Sequence, residues 1–318
     1  MKVLFVSSGM KGEVNSIIKN QGESLRRAGV DLDFYMVSSR GIIGYLHNIK
    51  PLRNKIRKGG YDVVHAHYAF TAYLVSLATI GLRTPLVVSL MGSDIWRHKW
   101  YPFIVRTFAA IKPWNIVIVK SAEMRTRVGI SRAIVVPNGV DMDKFRPKHK
   151  NECQKLLSWD LRKVHILMPA NPQDPRKNGP LAMESIKLLN ESGKYDIEFH
   201  GMVGVPNEQT PIWYNSADVV VLPSLYEGSA NAVKEAMACN RPLVTTDMGD
   251  CRERIEGVEG CYVATTYEIK EFAALIRMAM EFGKQTNGRE RLLADGIADW
   301  QIAARLIAIY KQVNQRPK

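Results

Sequence analysis

Glu227 and Glu235 are separated by seven intervening residues, with Gly228-Ser229-Ala230-Asn231 directly after the first of them. The apolar run Val219-Val220-Val221-Leu222 precedes the pair and has the character of a buried strand. The expected order is strand, small-residue loop and helix, with Glu227 on the loop and Glu235 about two turns into the helix. Such a loop presents backbone N–H groups at a helix N-terminus, where the helix dipole favours an anion. A carboxylate accepts two hydrogen bonds at once, which suits the paired hydroxyls of a ribose or a hexose. The same residues also fit an ordinary strand–turn–helix with two surface glutamates.

Other groups are weaker taken singly. Ala170-Asn171-Pro172-Gln173-Asp174-Pro175-Arg176-Lys177-Asn178-Gly179 lies after a strand pattern and before a helix, and on its own is a basic turn. Ser8-Gly9-Met10-Lys11-Gly12 follows the first strand but lacks the GxGxxG spacing of a phosphate loop. His65 and His67 end a strand pattern, and alternate strand residues share a face. With no third ligand evident nearby they make a poor metal site, and serve either as core or rim histidines or as binding contacts. Asp31-Leu32-Asp33 and Asp141-Met142-Asp143 have the DxD form that holds a divalent cation in some enzymes. The first opens a strand and the second falls in a turn, so both are expected to be structural. Cys153, Cys239, Cys251 and Cys261 show no CxxC spacing and are expected to be reduced core thiols.

These residues need elements to hold them. Strand-like runs at 2–7, 31–37, 62–66, 86–90, 115–119 and 133–136 alternate with helical patterns such as 13–28, 69–80 and 121–129. This alternation predicts a parallel sheet with helices on both faces. A turn cluster, Pro137-Asn138-Gly139-Val140-Asp141, and a charged stretch to Lys150 make the best linker. The alternation restarts with runs at 164–170, 196–200, 218–222, 243–246 and about 261–263, and helical patterns at 178–190, 230–239 and 267–283. The expected organisation is α/β, with a first domain over 1–145, a second over 146–297 and a final amphipathic helix within 298–318 that crosses back. Two doubly wound domains facing each other would leave a cleft at their strand ends, where such sheets bind ligands.

Composition narrows the class. Of 318 residues, 46% are hydrophobic and 24% charged, which suits a folded chain with a sizeable core. No apolar stretch approaches the ~18–20 residues of a membrane span. The N-terminus lacks the long apolar segment of a signal peptide, so a cytosolic protein is expected. Residues 1–150 hold 24 lysines and arginines against 9 acids, a net of +15, while residues 151–318 hold 20 against 22, a net of −2. One basic half suggests one domain facing an anionic surface. Lys50, Arg53, Lys55, Arg57 and Lys58 alternate with Ile49, Leu52 and Ile56, a pattern that suits either a solvated helix face or docking on anionic lipid. Trp96-Arg97-His98-Lys99-Trp100-Tyr101 is the sole aromatic–basic patch and fits a membrane interface as easily as nucleic acid, so no nucleic-acid partner is expected.

The stretch from Ser224 to Cys239, together with Pro242-Leu243-Val244-Thr245-Thr246-Asp247-Met248-Gly249-Asp250-Cys251-Arg252-Glu253 and Val136-Pro137-Asn138-Gly139-Val140-Asp141, resembles retaining glycosyltransferase family 4, glycosyl transferases group 1, of the GT-B fold. The resemblance covers nearly the whole chain and is strongest over 218–253. It implies two Rossmann-like doubly wound domains facing across a cleft, the first for the acceptor and the second for a nucleotide-sugar donor. It implies that Glu235 binds the donor ribose, that Glu227 holds the transferring sugar, and that Gly228, Ser229, Ala230 and Asn231 offer backbone N–H groups. Lys177 matches the family lysine that neutralises the diphosphate. Asn171 stands at the usual arginine position, with Arg176 as a substitute. Gly12 would face donor and acceptor from the first domain, and His67 would line the acceptor cleft. Many members carry a histidine where Met91 stands, so the resemblance leaves Met91, Gly92, Asp94 and His67 near the reaction centre, with Asp94 expected to be catalytic beside Glu227 and Lys177.

The implied enzyme is a metal-independent hexosyltransferase with no cofactor beyond its donor substrate. UDP- and GDP-sugars suit the pattern equally. The acceptor is expected to be a glycan or lipid-linked sugar in cell-surface polysaccharide or glycolipid synthesis, with the basic domain peripheral on the inner face of the plasma membrane. The alternatives are a degenerate or non-transferase GT-B protein that binds nucleotide-sugars or epimerises them.

Overall fold

The computed structural model describes residues 1–10, 13–37, 41–96, 99–111 and 114–315. The chain divides into two compact units, Met1–Gly139 with Asp299–Lys318, and Val140–Ala298.

The first unit runs β1 (Lys2–Met10), β2 (Glu13–Val14), α1 (Ser16–Arg27), β3 (Asp31–Val37), α2 (Gly41–His47), α3 (Ile49–Gly59), β4 (Val63–His67), α4 (Ala69–Ala78), β5 (Leu86–Ser89), α5 (Ser93–Trp96), α6 (Tyr101–Ile111), β6 (Ile116–Val119), α7 (Ala122–Val128) and β7 (Ile134–Val135). Among the described residues the parallel order is β3-β1-β4-β5-β6-β7, with β2 paired antiparallel to the end of β1. The chain steps from β1 to β3 on one side and resumes with β4 on the other, so winding reverses between β1 and β4. Strands such as Val63–His67 are buried along their whole length, as a sheet covered on both faces requires. Local chemistry sets the helix limits. The Asn15 side chain accepts from Ile17 N–H to open α1, whose last turn carries Arg26 and Arg27. Ser121 caps α7, and Gly129 ends it at φ +66°.

The second unit runs α8 (Lys150–Leu156), β8 (Val164–Met168), α9 (Gly179–Glu191), β9 (Ile197–Gly201), α10 (Thr210–Ser216), β10 (Val219–Leu222), α11 (Asn231–Ala238), β11 (Leu243–Thr246), α12 (Cys251–Ile255), β12 (Cys261–Ala264), α13 (Ile269–Phe282) and α14 (Gly288–Ala294). Its parallel sheet has the order β12-β11-β10-β8-β9, and winding reverses between β8 and β10. Apolar cores cover both faces, one centred on Tyr214, Met237 and Leu243, the other on Ile186, Val221 and Phe272. The chain then returns to the first unit as α15 (Asp299–Asn314), where Ile302, Leu306, Tyr310 and Val313 pack with Phe5, Ile18 and Leu25.

One expected boundary shifts. The first unit ends at Gly139 and not at 145, because Val140, Met142 and Phe145 are buried in the second core. Asp33 accepts from the Tyr61 hydroxyl at 2.6 Å, and Asp141 Oδ1 accepts from Asp143 and Lys144 N–H, so both DxD triplets have local structural partners. All four cysteines are buried free thiols. No helix among the described residues is long and apolar enough to cross a membrane.

Candidate functional site

In a doubly wound sheet, ligands gather beyond the C-terminal ends of the strands where winding reverses. In the second unit that point lies between β8 and β10, and the loops leaving these strands carry Lys177 and Glu227. The loop after β8 is held by its own side chains. Asn171 Oδ1 accepts from Gln173 N–H at 2.9 Å, and the Asp174 carboxylate accepts from Arg176 backbone N–H and from its guanidinium Nε and Nη2. Gly179 opens α9 where any Cβ would lie 2.3 Å from the Pro172 carbonyl oxygen. Leu225 N–H donates to the Arg176 carbonyl at 2.9 Å, joining this loop to the one after β10. Across that junction Lys177 Nζ pairs with Glu227 Oε1, and each side chain keeps about a quarter of its surface exposed, 24% and 25%. Asn171 is instead committed to the turn, and Arg176 is exposed and tied to Asp174.

The loop between Glu227 and α11 is supported from beneath. Ser229 Oγ donates to Asp250 Oδ2 at 2.9 Å and accepts from Lys234 Nζ at 3.1 Å. Arg254 approaches the same Asp250 oxygen at 3.3 Å and pairs with Asp295 at 2.7 Å. The Ser229 side chain therefore faces the interior and anchors the loop, leaving its backbone for binding. Lys234 is buried, and burial pushes its ammonium down to about 8, so it stays protonated at neutral pH. Gly249, at φ +58°, passes so close behind the loop that a Cβ would stand 2.9 Å from Glu227 O and 3.0 Å from Gly228 O. Ala230 precedes α11 without a side-chain cap, and Asn231 is its first residue.

Glu235 lies one turn into α11 and accepts from the Tyr214 hydroxyl at 2.7 Å. Burial raises its carboxyl pKa, opposed by the Tyr214 hydrogen bond and by the charges of Lys144 and Lys234. Tyr214, on α10, and Lys144, from the segment before α8, had no signal in the sequence that set them apart from core and linker residues. Ser229, Lys234, Asp250 and Gly249 lay within recognised motifs, but only the fold shows them supporting one loop.

The first unit treats its strand ends differently. Asp94 is buried, with Oδ1 accepting from Ala69 N–H at 3.0 Å and Oδ2 from Met91 N–H at 2.7 Å. Burial pushes its carboxyl up to about 6 in spite of these bonds. Through these two bonds the carboxylate fixes the start of α4 and the turn at Met91. Gly92 sits in that turn at φ +109° and its carbonyl accepts from Ile95 and Trp96 N–H. Met91 is partly buried against the core shared with α15. His65 is hydrogen-bonded to Tyr310 at 2.6 Å and Ser89 at 2.8 Å, a satisfied core histidine. His67 stacks on His65 at 4.3 Å and meets Phe5 at 4.6 Å with no surface exposed, and both its ring nitrogens are buried without a hydrogen-bond partner among the described residues. The following Tyr68 is at φ +72°, a strained conformation for its type. Gly12, Arg97 and His98 lie outside the described residues.

Residues 173–281 match the family Glycosyl transferases group 1, and residues 14–144 match Glycosyltransferase Family 4. The chain is 27% identical over 308 residues to an MMP alpha-(1->4)-mannosyltransferase of Mycolicibacterium hassiacum, covering 82% of this chain and 72% of that protein. Three further curated relatives are matched over 58%, 36% and 56% of their length. Among solved structures, sucrose-phosphate synthase of Thermosynechococcus elongatus superposes with a TM-score of 0.79 at 17% identity, covering 98% of each chain. HepE of Anabaena, solved in complex with UDP, gives 0.76 at 16% identity, covering 98% of this chain and 100% of that one.

Proposed function

This chain belongs to glycosyltransferase family 4 and has the GT-B fold, and from that premise we propose that it moves a hexose from a nucleoside-diphosphate sugar to a glycan or lipid-linked acceptor, with retention of anomeric configuration. The observation that carries this is the meeting of Lys177 and Glu227 at the winding reversal of the second unit, with Glu235 on the helix that follows. Glu235, oriented by Tyr214, binds the ribose hydroxyls. Glu227 holds the transferring sugar, and the backbone N–H groups of 228–231 take the diphosphate at the start of α11. As the glycosidic bond breaks, negative charge grows on the leaving diphosphate, and Lys177 stabilises it where it develops. Arg176 adds to this once a phosphate competes with Asp174. The acceptor oxygen bonds to the anomeric carbon on the face that the diphosphate leaves. The acceptor proton passes to the departing phosphate oxygen. Cationic side chains and a helix terminus do the work that a divalent ion does elsewhere, so the reaction is proposed to need no metal.

The test is an assay with UDP- and GDP-hexoses, with chelator present, reading the anomeric proton of the product by NMR. The account expects one nucleotide class to react, with an axial linkage formed from an axial donor. An inverted product, or turnover that requires a divalent cation, counts against it.

The acceptor is proposed to be anionic and lipid-linked, presented at the cytoplasmic face of a membrane. Support comes from the charge asymmetry and from α3, which buries Leu52 and Ile56 and carries Lys50, Lys55, Arg57 and Lys58. Beside it is an apolar pocket of about 450 Å³ lined by Tyr45, Leu46, Ile49, Phe70, Tyr73 and Leu77. Arg53 stands apart, since it donates to the Ala78 and Ile80 carbonyls at the end of α4. Sedimentation with anionic and neutral vesicles checks this, and equal binding to both, or to neither, removes the membrane from the account.

A further inference from the structure

A second cluster of ligating side chains lies across β8 and β9 on the sheet of the second unit. His165 is the second residue of β8, at the end of the strand opposite those loops. Glu198 and His200 are the second and fourth residues of β9, the edge strand. The register pairs His165 with Glu198 and Leu167 with His200, and alternation along β9 puts all three side chains on one face. His165 Nδ1 stands 2.9 Å from His200 Nε2, and Glu198 Oε1 stands 4.0 Å from the same His200 nitrogen. The three ligand atoms lie within 4.8 Å of one another.

The surroundings fix both rings. His165 Nε2 is 2.9 Å from the Asp160 carbonyl oxygen, which can only accept, so this nitrogen carries the proton and Nδ1 offers its lone pair. A ring N–H held by a carbonyl is the support that metal-bound histidines ordinarily have. His200 stacks on Trp159 at 3.6 Å with an 8° tilt, and Trp213 stands edge-on beyond it at 6.5 Å. Glu198 is 41% exposed, with Lys163 Nζ at a loose 3.9 Å as its cationic neighbour. It can therefore swing inward.

We propose that His165 Nδ1, His200 Nε2 and the Glu198 carboxylate form a binding site for a borderline divalent cation of the zinc class. Two imidazoles and a carboxylate are a donor set that zinc accepts, with water completing the tetrahedron. Tetrahedral ligands at about 2.0–2.1 Å from the ion stand about 3.3–3.4 Å apart. The imidazole pair opens by roughly half an ångström, and Glu198 closes in from its present distance. The proton now shared between the rings moves to His200 Nδ1, which leaves both ligating nitrogens unprotonated. A cation here clips the edge strand β9 to β8 and takes no part in sugar transfer.

Isothermal titration of chelator-stripped, full-length protein with ZnCl₂ tests the site in the wild type, Glu198→Gln and His200→Gln. The wild type is expected to bind one equivalent, with affinity falling at least tenfold in Glu198→Gln and at least a hundredfold in His200→Gln. Zn²⁺ is expected to raise the Tm of the wild type and not that of His200→Gln. Glu198 is exposed enough that its substitution leaves the fold intact, so the test survives if His200→Gln fails to fold. No Zn²⁺ binding by the wild type up to millimolar concentration overturns the proposal. So does wild-type affinity in Glu198→Gln, which would leave two histidines and no site.

Discussion

The two units share the order of five parallel strands and use their strand ends in opposite ways. In the second, the polar side chains at the winding reversal face outward and engage one another across two loops, as Lys177 and Glu227 do, while a buried layer of Ser229, Lys234 and Asp250 holds the loop beneath. In the first, the polar groups at the strand ends are themselves the buried layer. Asp94 binds backbone N–H groups, His65 is satisfied by Tyr310 and Ser89, and His67 is stacked out of contact with solvent. Side chains thus supply the chemistry of the second unit and the framework of the first.

Substitutions that exchange these roles test the contrast. Lys177→Ala has the largest expected effect, a fall of about 10²–10³ in kcat, as for loss of one donor to a developing anion. A loss under about threefold would mean that the Lys177–Glu227 pair is framework too. Asp94 comes next. Its folded pKa is about 6, above the ~3.9 of an unfolded chain, so the native state binds more protons between these values. Stability therefore falls as pH rises through this window, by on the order of 2–3 kcal/mol. Urea unfolding at pH 4 and pH 7 should show the wild type losing this increment while Asp94→Asn does not. Parallel pH profiles would place Asp94 in a polar, hydrated setting. Tyr214→Phe removes one hydrogen bond to a carboxylate, worth about 1.5 kcal/mol. Nucleotide affinity should drop roughly tenfold with little change in kcat, and a larger fall in kcat than in affinity would move Tyr214 into the chemistry. Arg176→Ala should have the smallest effect, under about fivefold in KM, since its exposed pair with Asp174 contributes little. A loss matching that of Lys177→Ala would make Arg176 an equal partner at the diphosphate.

The same contrast explains what the sequence made legible. The central strands were legible because both sheets are covered on two faces, so strands such as β4, β5, β6, β10 and β11 are buried along their whole length. Glu227, Glu235 and Lys177 stand in short segments beside small or turn-forming residues, so each had a local signature. Asp94 stood out only through the family resemblance around Met91, and its bonds to Ala69 and Met91 N–H, one of them 25 residues away, have no local signature. Tyr214 meets Glu235 across 21 residues, and Ser229 meets Asp250 across the same interval, pairings that no periodicity encodes. The unit boundary falls at 139, within the turn cluster, and not at 145 in the charged stretch after it, because Val140, Met142 and Phe145 join the second core.

The central claim is that the second unit holds the nucleotide through Glu235. The most direct measurement is thermal unfolding of the wild type and Glu235→Ala with UDP, GDP, ADP and CMP. At about 100 times Kd a ligand specific for the folded state adds about 2.7 kcal/mol of stability. The account predicts that either UDP or GDP raises the wild-type Tm and that Glu235→Ala loses this rise while keeping its own cooperative transition. An equal rise in both proteins, or none in the wild type at millimolar nucleotide, would contradict it.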